Sequence, residues 1–130
     1  MATAAPASTA AVAEELVALC RAGRNLDAIA KLYSPKIVSV EPVGSDTMPA
    51  EMSGIDTIRQ KNASWYDTYE VNAVDVQGPF LGDQQFAVRY EFDTTAKETG
   101  QRNRMTEMAL YTVEDGKIVR EEFYYHAPGA

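Results

Sequence analysis

The segment IVSVEPVGSDTMPAEMSGIDTIR, residues 37–59, packs three structural signals into a short span. Ile37, Val38 and Val40 favour extended backbone, so a strand is expected from Ile37 to Glu41. Pro42 follows at once and cannot donate to a ladder, so the strand ends there or lies at an edge. The loop beyond it holds Gly44, Asp46, Pro49 and the two methionines Met48 and Met52. Ser53 with Asp56 three residues later is a capping-box pattern ahead of Ile55 and Ile58. A helix is expected from there to about Tyr69, with Ile58, Trp65 and Tyr69 on one side. The segment thus ends a strand on a carboxylate, Glu41, and leads it into a helix.

Towards the N-terminus the pattern is helical. From Ser8 or Thr9 to Ala22, the residues Val12, Leu16, Leu19 and Cys20 fall on one stripe, and Gly23 stops the helix. Asn25 is placed to cap a second helix whose stripe is Leu26, Ile29, Ala30 and Tyr33. Pro35 ends it, because the residue before a proline avoids the α region. Towards the C-terminus the chain reads as strands. Val71 to Phe80 is closed by Gly78-Pro79 and Gly82-Asp83. Phe86, Val88, Tyr90 and Phe92 then alternate with Ala87, Arg89, Glu91 and Asp93, a period of two. After the polar loop TTAKETGQRN, Arg104 to Val113 and Lys117 to Tyr125 flank the hairpin turn Glu114-Asp115-Gly116.

The order ααβαββββ segregates helices from a run of mostly antiparallel strands, an α+β layout. A curved sheet wrapped around the long helix would leave a cavity between them.

At 130 residues the chain is expected to be one domain, 9–130, after a flexible lead-in over residues 1–8. The net charge of −7 argues against nucleic-acid and anionic-membrane partners, which favour basic patches. One cysteine, Cys20, precludes an internal disulfide and a cysteine metal cluster, and its place on the apolar stripe points to a buried, reduced thiol. One histidine precludes a multi-histidine metal site within one chain, so neither metal nor cofactor is expected. The opening MATAAPASTAA lacks the basic and strongly apolar regions of a signal peptide, and a cytoplasmic protein is expected. No apolar run approaches the roughly 20 residues that span a membrane.

Three segments together carry a family resemblance. AGRNLDAIAKLYSPKIVSVEPVGSD is similar to a helix–strand segment ending in an Asp-Pro-Val-Gly run. SGIDTIR is similar to a Gly-x-x-x-Ile-Arg helix start, and FAVRYEF with DGKIVREEFYY to a Phe-x-Val-x-Phe-Glu strand and a final Gly-Lys-Val strand. On these segments the chain resembles the nuclear transport factor 2-like and SnoaL-like superfamily, closest to its steroid Δ-isomerase (ketosteroid isomerase) branch. The resemblance implies a cone-shaped cystatin-like fold and a cavity lined by the first strand, third helix and long sheet. It also implies a homodimer through the outer sheet face and a small apolar ligand. The branch's general base falls on Glu41, one methylene longer here. Its two oxyanion donors fall on Leu16 and Ala109, which cannot donate from their side chains.

The candidate site follows. A carboxylate at Glu41 suits removal and return of a proton next to a carbonyl; otherwise it is a strand-end glutamate in water. Glu107 shares a strand face with Ala109 and Tyr111 and is either a second carboxylate, held protonated near Glu41, or the salt-bridge partner of Arg102, Arg104 or Lys117. For such a protonated acid the handling of an oxyanion is known from the steroid isomerase itself. Tyr90 and Tyr111 either supply hydroxyl donors or pack in the core, and Trp65 is either a ligand wall or core. Lys61 and Asn62 are expected on a solvated face, with entry of one of them into the pocket as the alternative. Tyr125 and His126 close the last strand, with Tyr125 expected at the ligand and His126 exposed or at the dimer edge, or, if beside Glu41, a second acid/base candidate. Met48 and Met52 form a flexible apolar lid or tuck against the third helix. Arg89, Glu91, Arg120 and Glu122 are expected on outward faces. Two functions compete: a cofactor-independent isomerase, cyclase or lyase acting by proton transfer on an apolar carbonyl compound, and a non-catalytic ligand-binding or dimerisation module.

Overall fold

A computed structural model of the chain describes residues 6–126. Its elements are α1 (Thr9–Arg21), α2 (Asn25–Leu32), β1 (Tyr33–Val40), β2 (Glu51–Ser53), α3 (Ile55–Thr68), β3 (Tyr69–Leu81), β4 (Gln85–Ala96), β5 (Arg102–Glu114) and β6 (Lys117–Tyr124). The six strands form one sheet in the order β2-β1-β6-β5-β4-β3. Every neighbouring pair is antiparallel except β1 with β6. The α+β class expected from the sequence is the one observed. The expected flexibility of the lead-in falls mostly on residues outside the described range.

Local chemistry explains most boundaries. The Ser8 hydroxyl accepts from the Ala11 amide and caps α1. The hairpin between β5 and β6 turns on Asp115 and Gly116, whose φ values of 51° and 74° are the left-handed pair that a two-residue turn requires. On β4, Phe86, Val88, Tyr90 and Phe92 are all buried, as their alternation demands.

Four local expectations are corrected. Ser53 does not cap α3: it ends the unforeseen strand β2, and Gly54 stands at the helix start with φ 92° and no side-chain cap bond. Asn25 is the first residue of α2 rather than its cap. The buried stripe of α2 is Ala28, Ile29 and Leu32, while Leu26 is 43% exposed. Pro35 sits inside β1, because α2 already ends at Leu32 and the chain is extended from Tyr33.

The register puts three rows of side chains on the concave face, which α1, α2 and α3 cover. Ser39, Glu121, Tyr111 and Phe86 lie across from one another on β1, β6, β5 and β4. Phe123, Ala109 and Val88 form the next row. Glu107, Tyr90 and Val76 form the third. The first row carries a carboxylate on β6, Glu121, and the third one on β5, Glu107, while the β4 and β3 members of all three rows are apolar or aromatic core.

Candidate functional site

Glu41 follows β1 directly, and its backbone amide donates to the Ala50 carbonyl at 2.8 Å, which closes the Pro42–Pro49 loop behind it. Counting in twos from Ile37 and Ser39 turns its side chain to the concave face. There it meets Lys61 of α3. Lys61 lies three residues after fully buried Ile58 and four before Trp65, so the helical period points it inward. The Lys61 Nζ to Glu41 Oε1 distance is 2.5 Å, and the two side chains are 15% and 19% exposed. Lys61 also donates to Ser39 Oγ at 3.1 Å and stands 5.1 Å from the centroid of the Phe123 ring. The expectation of a solvated Lys61 is therefore corrected. Asn62 is tied to its own helix, donating to the Ile58 carbonyl at 2.9 Å.

Two further carboxylates face the same end of the sheet. Burial, and then the charge of Glu41, push the Glu107 carboxyl up to about 8, against the opposing pull of Lys61. Arg102, Arg104 and Lys117 do not pair with it. Arg102 binds Asp93 at 2.7 Å, Arg104 lies 3.6 Å from Glu91, and Lys117 donates to the Lys31 carbonyl. Glu121 is 2% exposed. Burial raises its carboxyl to about 7, while Lys61, the Tyr33 hydroxyl and Ser39 favour the charged form. Tyr33 donates to Glu121 Oε2 at 2.9 Å, and Ser39 is a further hydrogen-bond partner.

Glu41, Phe123, Tyr125 and His126 border a cleft of about 460 Å3 between the ends of β1 and β6. Tyr125 lies against Glu41; burial and the Glu41 charge raise its phenol well above the ordinary value. His126 stands exposed at the lip. Met52 packs against the core from β2.

The remaining aromatic residues gather elsewhere. The Tyr90 and Tyr111 hydroxyls hydrogen-bond each other at 2.8 Å, deep in the core, and Tyr90 donates to Cys20 Sγ at 3.7 Å. Burial raises the Cys20 thiol to about 11, so it is a protonated core residue. Trp65 packs edge-on to Tyr66 and Phe92 and tilted against Tyr69. Leu16 and Ala109 are both buried and apolar. Arg89 and Glu91 pair at 3.7 Å, and Arg120 and Glu122 at 2.9 Å. Among the described residues, no three His, Cys, Asp or Glu side chains are arranged to hold a metal, and no helix is long and apolar enough to cross a membrane.

The structure thus brings Glu41, Glu107 and Tyr125 to one end of the concave face and puts Trp65, Tyr90 and Tyr111 in the core beside it. Sequence reasoning missed Ser39, Glu121 and Tyr33, and misplaced Lys61. Parity counted back from Phe123 would have turned Glu121 inward.

The comparisons agree with this architecture. A crystal structure of a candidate SnoaL-like polyketide cyclase from Mesorhizobium loti is 38% identical, with a TM-score of 0.86 over 92% of this chain and 100% of that one. A second candidate SnoaL-like polyketide cyclase, from a Jannaschia species, shares the fold at 13% identity and a TM-score of 0.72, covering 95% of this chain and 90% of that one. A candidate polyketide cyclase from Pseudomonas putida does so at 16% identity and 0.69, covering 92% of each chain. No curated protein matches the chain. The SnoaL-like domain profile matches residues 7–125, and the chain therefore belongs to the SnoaL-like domain family.

Proposed function

We propose that the protein is a cofactor-independent enzyme that moves a proton on a small apolar carbonyl compound, as an isomerase, cyclase or lyase does. The observation that carries this reading is a pair of half-buried carboxyls, Glu41 at the cleft and Glu107 near enough that burial and the Glu41 charge raise its carboxyl to about 8. Glu41 would take the proton next to the carbonyl and return it to carbon. Glu107, protonated at neutral pH, would donate to the oxygen on which charge develops. Tyr125 would contact the ligand at the cleft, with Trp65, Tyr90 and Tyr111 shaping the core behind it. The similarity to candidate polyketide cyclases supports a substrate with enolisable carbonyls.

A steroid Δ-isomerase is the finer reading, and Leu16 and Ala109 weigh against it. They remove both of that branch's oxyanion donors. A non-catalytic ligand-binding module is the alternative, favoured by the Lys61 ion pair that already occupies Glu41. We further place the protein in the cytoplasm as a homodimer through the outer sheet face, on which Met108 and Tyr124 are exposed. Sedimentation as a monomer at micromolar concentration would refute the dimer.

Exchange into D2O tests the reaction. An apolar cyclic ketone incubated with the protein should lose its α-proton NMR signals faster than in buffer. Glu41→Gln should slow this at least about a hundredfold. An unaccelerated wild type, or an unchanged Glu41→Gln rate, sinks the reading and leaves the binding module.

A further inference from the structure

We propose that Lys61 is a second group, beside Glu107, that holds the ligand's oxygen in this site, and that a hydrogen-bond chain running back to Glu121 fixes it there; the assignment rests on the proton-transfer reading above. An ammonium has three N–H donors. One is directed to Glu41 at 2.5 Å and one to Ser39 Oγ at 3.1 Å. Among the described residues no third oxygen bonds Nζ. Its remaining neighbour is the ring of Phe123, 5.1 Å away, and Phe123 lines the cleft. Lys61 thus stands directly behind Glu41 and Phe123, both of which line the cleft, with one N–H that no protein oxygen takes.

The back of Lys61 is held rigidly. Ser39 is 0% exposed and lies directly across from Glu121 in the parallel β1–β6 pair. Its hydroxyl accepts from Lys61 and bonds Glu121, which accepts from Tyr33 at 2.9 Å. Swinging Lys61 away would leave a buried hydroxyl short of a partner. Glu121 is thus a positioning residue for Lys61.

The chemistry gives this ammonium a purpose that a static ion pair lacks. When Glu41 takes the proton, the C–H bond breaks, an O–H bond forms on Glu41, and the electron pair moves onto the carbonyl oxygen. Glu41 becomes neutral as the ligand oxygen becomes negative. Lys61 keeps all its protons, and its charge is balanced first by one anion and then by the other. The attraction to the ligand is therefore stronger in the transition state than before it. Lys61 would supply from α3 a donor that neither Leu16 nor Ala109 can give.

A nitrophenol probes this without turnover, because its phenolate resembles an enolate and is read by its own absorbance. Lys61→Met should weaken phenolate binding between about tenfold and a hundredfold and leave the neutral phenol within about twofold. Glu41→Gln releases Lys61 and should strengthen phenolate binding. Glu121→Gln should weaken the phenolate and spare the neutral form. Phenolate affinity unchanged in Lys61→Met, or loss of both forms together, overturns the assignment. If Lys61→Met does not fold, the Glu41→Gln arm decides: unchanged phenolate affinity there overturns it as well. Lys61-dependent phenolate binding without α-proton exchange in the wild type refutes the catalytic reading alone. Exchange with Lys61-independent binding refutes this one alone.

Discussion

Replacing Glu121 by glutamine should make the protein more stable above neutral pH and leave it nearly unchanged in mild acid. The carboxyl titrates at about 7 in the folded chain against 4.5 when free, a gap of about 2.5. At about 1.4 kcal/mol for each pH unit, the folded state loses about 3 kcal/mol once Glu121 is charged. The sign follows from proton counts. Below pH 4.5 both states hold the proton, and the full stability is present. Between 4.5 and about 7 the unfolded chain releases a proton that the folded chain keeps, so stability falls as pH rises. Above about 7 the loss is complete. Glutamine keeps the shape and removes the titration. Urea melts of both proteins at pH 5, 6, 7 and 8 should give curves that coincide within about 1 kcal/mol at the acid end and separate to about 3 kcal/mol at the alkaline end, roughly 10 °C in melting temperature. Glu107 is present in both proteins, and the Glu121 charge is the smallest of the causes that raise its carboxyl, so the difference is dominated by Glu121. A gap that does not change with pH would refute the reasoning, because it would mean that Glu121 keeps its free titration inside the fold.

Two further substitutions test the core and the hairpin. Tyr90→Phe or Tyr111→Phe alone removes one side of the buried 2.8 Å hydroxyl pair and should cost about 1–3 kcal/mol, whereas the double variant should recover part of that loss; strict additivity in urea melts would show the hydroxyls to be uncoupled. Gly116→Ala forces a side chain onto φ 74° with its Cβ 2.8 Å from the Ala7 amide nitrogen, and should cost about 1–2 kcal/mol or more in the same melts; a change under about 0.5 kcal/mol would show that the turn and the Ala7 segment yield freely.

The strands were legible because their signals are local. Period two in Phe86 to Phe92 and the Asp115-Gly116 turn are properties of adjacent residues. The end of α3 was legible to within a residue, but its start was not. Ser53 and Asp56 match a capping box by spacing, yet Ser53 is drawn into pairing with Val38. The outward placing of Arg120 and Glu122 already implied an inward Glu121, but a register shift between Thr112 and Val113 makes the alternation inside β6 depend on where the count starts. Parity counted forward from buried Ile118 turns Arg120 and Glu122 inward, and only parity counted back from Phe123 gives Glu121. Lys61 obeyed the helical stripe, but its charge argued for water. The partner that overrides this, Glu41, comes from a strand whose position relative to α3 no local pattern specifies. The family resemblance singled out Glu41, and the polar chain behind it through Lys61 and Glu121 emerged from the packing.

The parallel pairing of β1 with β6 has a kinetic meaning. Tyr33 and Glu121 bond across a sequence separation of 88 residues, with α3 and three long strands intervening. Glu41 and Lys61 lie near one another in the chain, but Ser39 gains Glu121, and Lys61 gains the Phe123 ring, only when β6 docks beside β1. Contacts of such long range form late, after loop closure has been offset by other gains. A chain still folding, or one whose last strand has peeled away, therefore carries a bare lysine–glutamate pair open to water and none of the buried support. Completion of the sheet and assembly of the Tyr33–Glu121 and Lys61–Phe123 contacts are therefore one event.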